Sequence, residues 1–178
     1  MSKKTATAVP ILVLVAICVI AATLLGLVHN ATDPVIRDAE EAEARAIYES
    51  LFPQASTFEE LPTSVEGCDG IQAAFDDAGN QIGMIVVASG RGYGGQVPVA
   101  VAFDDSGTVR SMVVMENEET PGLGSKATEG TYLDQYVGFV ARPIGEEDVD
   151  LVSGATITSK AVLSAFNTAT TAYEEARS

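Results

Sequence analysis

The sequence predicts an α+β chain: an N-terminal single transmembrane helix, followed by an antiparallel-sheet domain with packing helices. Three observations carry this expectation. Residues 9–28 form an uncharged apolar run; residues 70–115 hold two pairs of apolar segments split by turn-forming residues; and residues 160–177 repeat apolar side chains at helical spacing. These are the signatures of a membrane span, of hairpins and of an amphipathic helix.

The apolar run has the length of about 20 residues that a bilayer core requires. Pro10 falls in its first turn, where a missing N–H costs nothing. Lys3 and Lys4 give it a basic start, as in a signal peptide, but the run exceeds the usual h-region and no clear Ala-x-Ala site follows, so a retained anchor is expected. The lysines flank the N-terminal side closely, whereas Arg37 and Arg45 lie farther off among many acids. This bias predicts a cytoplasmic N-terminus and an extracytoplasmic C-terminal domain.

Asp33 and Pro34 can start a second helix, with Ala39, Ala42, Ala46, Ile47 and Leu51 as its apolar stripe and Pro53 beyond its end. Strands follow from about residue 60. Residues 70–88 read as a hairpin turning at 76–80, and residues 97–115 as another turning at 104–107, with alternation that suggests one covered face. Between them lies Ser-Gly-Arg-Gly-Tyr-Gly-Gly at 89–95; it lacks the spacing and following helix of a phosphate loop. Residues 131–138 read as a short helix or irregular segment turning Tyr132, Leu133 and Tyr136 inward. The last helix, at 160–177, carries Val162, Leu163, Phe166, Ala169 and Tyr173 on one stripe. The expected organisation is an N-terminus at 1–8, an anchor at 9–28, a juxtamembrane helix and linker at 29–55 and one domain at 56–178.

Composition narrows the chemistry. The 178 residues suffice for one modest domain, and a net charge of -15 with ten Lys and Arg argues against nucleic acid. Cys18, Cys68 and His29 are the whole inventory of their kinds and form no cluster, so no metal centre, iron–sulfur cluster or c-type haem is expected. An electron carrier with this inventory needs an organic cofactor.

Two segments have the composition of a ligand site. In Asp150-Leu-Val-Ser153-Gly154-Ala155-Thr156, followed by Thr158, hydroxyls surround a small pair just before a helical pattern, where unpaired N–H groups attract an anion. Upstream, Glu119-Thr120-Pro121-Gly122-Leu123-Gly124 sets a turn, a glycine that permits close approach and an apolar side chain able to meet a flat ring. Taken alone, the first segment also fits a simple helix cap.

Together, in this order and separation, the two segments resemble the Asp-x-x-Ser/Thr-Gly-Ala-Thr flavinylation motif and the Glu-Thr-Pro-Gly-Leu-Gly loop of membrane-anchored FMN-binding domains. The likeness extends over most of residues 33–178. That family includes the G subunits of Rnf electron-transport complexes and the C subunits of sodium-pumping NADH:quinone reductases. The resemblance implies covalent FMN on Thr156 through a phosphodiester bond, one per chain, installed by a separate flavin transferase. It implies cofactor contacts from Ser153, Gly154, Ala155, Thr158, Glu119, Thr120, Gly122, Leu123 and Gly124, with Tyr93 near the ring. Lys126, and less directly Lys160, are the nearest cations for the phosphate. Where this family often has His-Asn-Glu-Thr, the chain has Asn117-Glu118-Glu119-Thr120 and no histidine. The implied function is electron transfer within an Rnf-type ion-translocating ferredoxin:NAD oxidoreductase in the cell (inner) membrane, with other membrane and redox subunits as partners and no catalysis by this chain alone. A membrane-anchored interaction module without flavin, and a flavin-binding sensor or reductase component of another extracytoplasmic electron-transfer system, stand as alternatives.

Overall fold

A computed structural model describes residues 3–122 and 124–178 of the chain. Two compact units are present, Met1–Arg45 and Ala46–Ser178.

In the first unit the chain is helical. Helix α1 runs over Lys3–Leu51, and within it Val13–Pro34 has a mean hydropathy of 2.3 with its side chains outward, long and apolar enough to cross a bilayer. Hydroxyls in this span are satisfied on the helix itself: Thr23 Oγ1 donates to the Val19 carbonyl at 2.7 Å and Thr32 Oγ1 to that of Val28. Such back-bonding is what a polar group needs where no water is available. The expected second helix at Asp33–Pro34 is instead a continuation of α1. Pro34 removes a single N–H and is accommodated inside the helix, between the members of the Asp33–Arg37 ion pair at 3.1 Å.

The second unit is built on a five-stranded antiparallel meander, β1 Thr57–Leu61, β2 Cys68–Phe75, β3 Gln81–Arg91, β4 Gln96–Asp104 and β5 Val109–Val114, in spatial order β1-β2-β3-β4-β5. Two of its turns share one chemistry. Asp76 Oδ1 accepts the amides of Ala78 and Asn80, and Asp104 Oδ1 accepts those of Ser106 and Thr108. Each turn closes on a left-handed glycine, Gly79 or Gly107. The central pair β3 and β4 keeps register from Gly83↔Asp104 to Arg91↔Gln96 and then turns through 92–95, where the Gly92 amide donates to the Gly95 carbonyl.

Both faces of this sheet are covered, not one. Ile71, Met84, Val86, Val99, Val101 and Phe103 face helix α3, Thr156–Arg177, whose Val162, Phe166, Ala169 and Tyr173 are buried against them. Ala74, Ile85, Val87, Ala100 and Ala102 face the end of α1, where Leu51 and Phe52 seal the opposite side and Arg110 stacks 5.4 Å over the Phe52 ring. Covering on both sides explains why β3 and β4 read as near-continuous apolar runs. Strand β1 was not expected; it lies at the sheet edge with Glu59 and Glu60 exposed, a charged edge that discourages further pairing.

Between β5 and α3 the chain forms a turn at Gly124–Ala127, helix α2 at Gly130–Leu133, and tight turns at Asp134–Tyr136 and Glu146–Asp148. As expected, Tyr132, Leu133 and Tyr136 point inward, and Tyr136 stacks 5.0 Å from Phe166. The Val109 amide donates to the Phe139 carbonyl and the Gly138 amide to the Val109 carbonyl, which ties this segment to the β5 edge.

Candidate functional site

The site is assembled from three loops. The first is the hairpin at 92–95 between β3 and β4. The second, at 115–125, is shaped by its own polar side chains: the Glu119 amide donates to Asn117 Oδ1 at 3.1 Å, and Gly122, in the left-handed region at φ 79°, donates to Ser125 Oγ at 2.9 Å. The third is the turn leading into α3, which begins at Thr156, one turn earlier than expected.

That last turn is held by residues that no motif marked. The side chain of Gln135 receives the Asp150 amide at 2.7 Å, and buried Ser159 Oγ receives the Val152 amide at 3.1 Å while donating to the Ala155 carbonyl at 3.0 Å. Tyr132 Oη donates to the Ser159 carbonyl from below at 3.3 Å. The signal for Ser159 was its hydroxyl in the first turn; nothing local marked Gln135. Ala155 occupies the cap position of α3 without any side-chain bond, so the motif hydroxyls do not cap the helix and its leading N–H groups are not taken up by a side chain. Gly154 has φ 84° and open space beside it.

A pocket of about 120 Å³ lies between these loops, lined by Tyr93, Glu119, Thr120, Gly124, Gly154, Ala155, Thr156, Ile157 and Thr158. The fold thus brings together most of the residues singled out from the two motifs, though they lie far apart in the chain. Thr156 is exposed, and so is Ser153, which stands outside the lining. Gly122 and Lys126 are exposed and outside it too, and Leu123 lies outside the described residues. Lys160 is turned elsewhere, its Nζ 2.8 Å from Glu146 Oε1. Ile157, not anticipated, adds an exposed apolar side chain beside the pocket, as does Tyr93 at 74% exposure. Larger depressions, about 530 Å³ beside Ile144, Lys160 and Asn167 and about 350 Å³ beside Asp104, Tyr173 and Arg177, contain none of the motif residues.

Glu119 departs most from expectation. A turn glutamate is ordinarily solvated, yet this one is 8% exposed. Its Oε2 accepts Thr158 Oγ1 at 2.6 Å and its Oε1 accepts the Gly94 amide at 2.9 Å. Burial pushes its pKa up, but the bonds from Thr158 and from the Gly94 and Tyr93 amides outweigh this and hold it below the usual glutamate value. The glycines of the two upstream loops make room for it: a Cβ on Gly92 would strike Oε1, one on Gly124 would strike Oε2, and one on Gly94 would strike the Glu118 carbonyl. Close approach at Gly92 and Gly124 therefore serves this carboxylate. Thr158, 2% exposed, directs its hydroxyl to the same group.

The arrangement offers an accessible hydroxyl at Thr156, an uncapped helix start and a small cleft opening onto apolar surface. These features fit a phosphate ester at the helix N-terminus. The cleft is well below the roughly 300–1,000 Å³ of sites that enclose a small molecule, and it opens beside the exposed side chains of Tyr93 and Ile157.

The sequence has relatives among known proteins. The FMN-binding domain family profile matches residues 92–171. The G subunit of the ion-translocating oxidoreductase complex of Methanosarcina acetivorans is 30% identical over 169 residues, covering 89% of this chain and 90% of that protein. The G subunit of the Na(+)-translocating ferredoxin:NAD(+) oxidoreductase complex of Acetobacterium woodii is 26% identical over 186 residues, covering 92% and 89%. A crystal structure of Shewanella oneidensis NqrC superposes with a TM-score of 0.47 and 25% identity, covering 65% of each chain.

Proposed function

Because the chain belongs to the family of G subunits of ion-translocating oxidoreductase complexes, we propose that it is a membrane-anchored electron-transfer protein with FMN held covalently on Thr156. FMN binding and electron transfer follow from the family and from the matched FMN-binding domain. The finer assignment rests above all on one observation: the motif threonine is exposed at the first position of an uncapped helix, beside the Glu119–Gly124 loop.

The threonine hydroxyl is a weak nucleophile at neutral pH, and among the described residues no cluster of His, Cys, Asp or Glu is placed to hold an activating metal. Attachment is therefore the work of a flavin transferase, with this chain as its substrate. When bound, FMN supplies the capacity to accept and release electrons. The residues here do the rest: Thr156 tethers the phosphate, the leading N–H groups of α3 meet its charge, Gly154 and Ala155 keep the approach clear, and Tyr93 with Thr120 flanks the ring. Ser153, Gly122, Leu123 and Lys126 complete the proposed surroundings from just outside the pocket.

The partners are the remaining subunits of an Rnf-type complex coupling ferredoxin:NAD oxidoreduction to ion movement. Lys3 and Lys4 beside the apolar span favour a cytoplasmic N-terminus in the cell membrane and an extracytoplasmic domain. The test is to coexpress the chain with a flavin transferase, denature it, and map the fluorescent peptide by mass. FMN is expected on the peptide containing Thr156 and absent from Thr156→Ala; covalent flavin retained by that variant sinks the assignment.

A further inference from the structure

A buried carboxylate normally needs a cation, because an uncompensated charge removed from water is costly. Among the described residues Glu119 has no ion pair; it is held by a hydroxyl of α3 and by the Gly94 and Tyr93 amides of the 92–95 hairpin. Thr158 stands in the first turn of α3, where the helix dipole also favours an anion. The collisions that a side chain at Gly92 or Gly124 would make with the two oxygens mean that both loops are shaped around this group. Each oxygen thus bonds a different wall of the pocket, while the backbone of Glu119 forms the third.

From this we infer that Glu119 is a positioning residue, whose carboxylate latches the 92–95 hairpin to the first turn of α3 and so fixes the shape of the flavin pocket. Both of its oxygens are already engaged by protein donors. The latch is a property of the protein before loading; its bearing on flavin rests on the reading of Thr156 given above.

Hydrogen exchange on the full chain in detergent micelles tests the latch without any cofactor. In Glu119→Ala, exchange at the Gly94 amide rises by about tenfold or more, as expected for loss of a bond to a charged group. The amides of Val86 and Val101, in the centres of β3 and β4, stay unchanged. Glu119→Gln stays near wild type, since its carbonyl accepts from Gly94 and the Thr158 hydroxyl can turn to accept from its amide. Thr158→Val, a milder change, falls between them. Unaltered exchange at Gly94 in Glu119→Ala, or an equal rise at all amides, overturns the proposal. In chains loaded with FMN, Glu119→Ala keeps flavin on Thr156 but lowers its fluorescence anisotropy, and Glu119→Gln does not. Anisotropy unchanged in Glu119→Ala also overturns positioning. A wild-type chain that takes no flavin sinks the covalent assignment instead, and the exchange comparison then decides the latch alone.

Discussion

Thr156 and Thr158 stand two positions apart on α3 and, with about 100° of turn per residue, face nearly opposite directions. One is exposed and the other is 2% exposed and bonded to Glu119. Substituting each by valine separates the proposed tethering from support. Thr156→Val is expected to change stability by no more than about 0.5 kcal/mol, as at other surface positions, while Thr158→Val costs about 1–3 kcal/mol by stripping a donor from a buried anion; chemical denaturation measures both. The depressed pKa of Glu119 has a further consequence. A group ionised more readily folded than unfolded contributes stability that is fully present above its unfolded value, near 4.5, and lost as pH falls through its lower folded value. Wild-type stability should therefore fall more steeply below pH 4.5 than that of Glu119→Gln. Asp76 and Asp104, also held below their usual range by turn bonds, titrate identically in both chains and cancel in the difference. Glu119 was legible as part of a loop but not as a latch. Its partner lies 39 residues on, and no local pattern announces that a turn carboxylate will be buried.

Among the elements, α3 decides where the site lies. It meets β3 at Gly90, where any Cβ would run into the Ala161 carbonyl. Gly90→Val is therefore expected to push the leading half of α3 off the sheet, lowering the melting temperature and reducing the proposed flavin attachment at Thr156 together. The sequence disclosed this helix through its apolar stripe, yet hid its first turn. Thr156, Thr158 and Ser159 are poor helix formers, and Ala155 gives no capping signal. Four strands were readable because their apolar runs are long and their turns carry Asp and Gly. Strand β1 was not, since its exposures, shaped by an edge position, follow no strict alternation. Nor could periodicity reveal that the second face of the sheet is covered, because Leu51 and Phe52, which cover it, read as the tail of a helix.

At the scale of the whole molecule, the compact unit that holds the site begins at Ala46 and includes the Leu51 and Phe52 cover. A chain of residues 46–178 is expected to unfold in one cooperative transition. One starting at residue 56 leaves Ala74, Ile85, Val87, Ala100 and Ala102 uncovered and should self-associate; sedimentation and thermal unfolding distinguish the two. Within the longer chain, Phe52→Ala removes a fully buried ring and costs about 3–5 kcal/mol. The strand order carries a kinetic consequence. Each strand pairs with its neighbours in sequence, so the sheet has low contact order and can form from local closures as the chain emerges. The 22-residue helix α3, by contrast, returns across a long loop to pack on the sheet. The helical setting of the Thr156 hydroxyl thus depends on a long-range closure, and docking of α3 is expected to be the earliest moment at which the chain can receive the proposed prosthetic group.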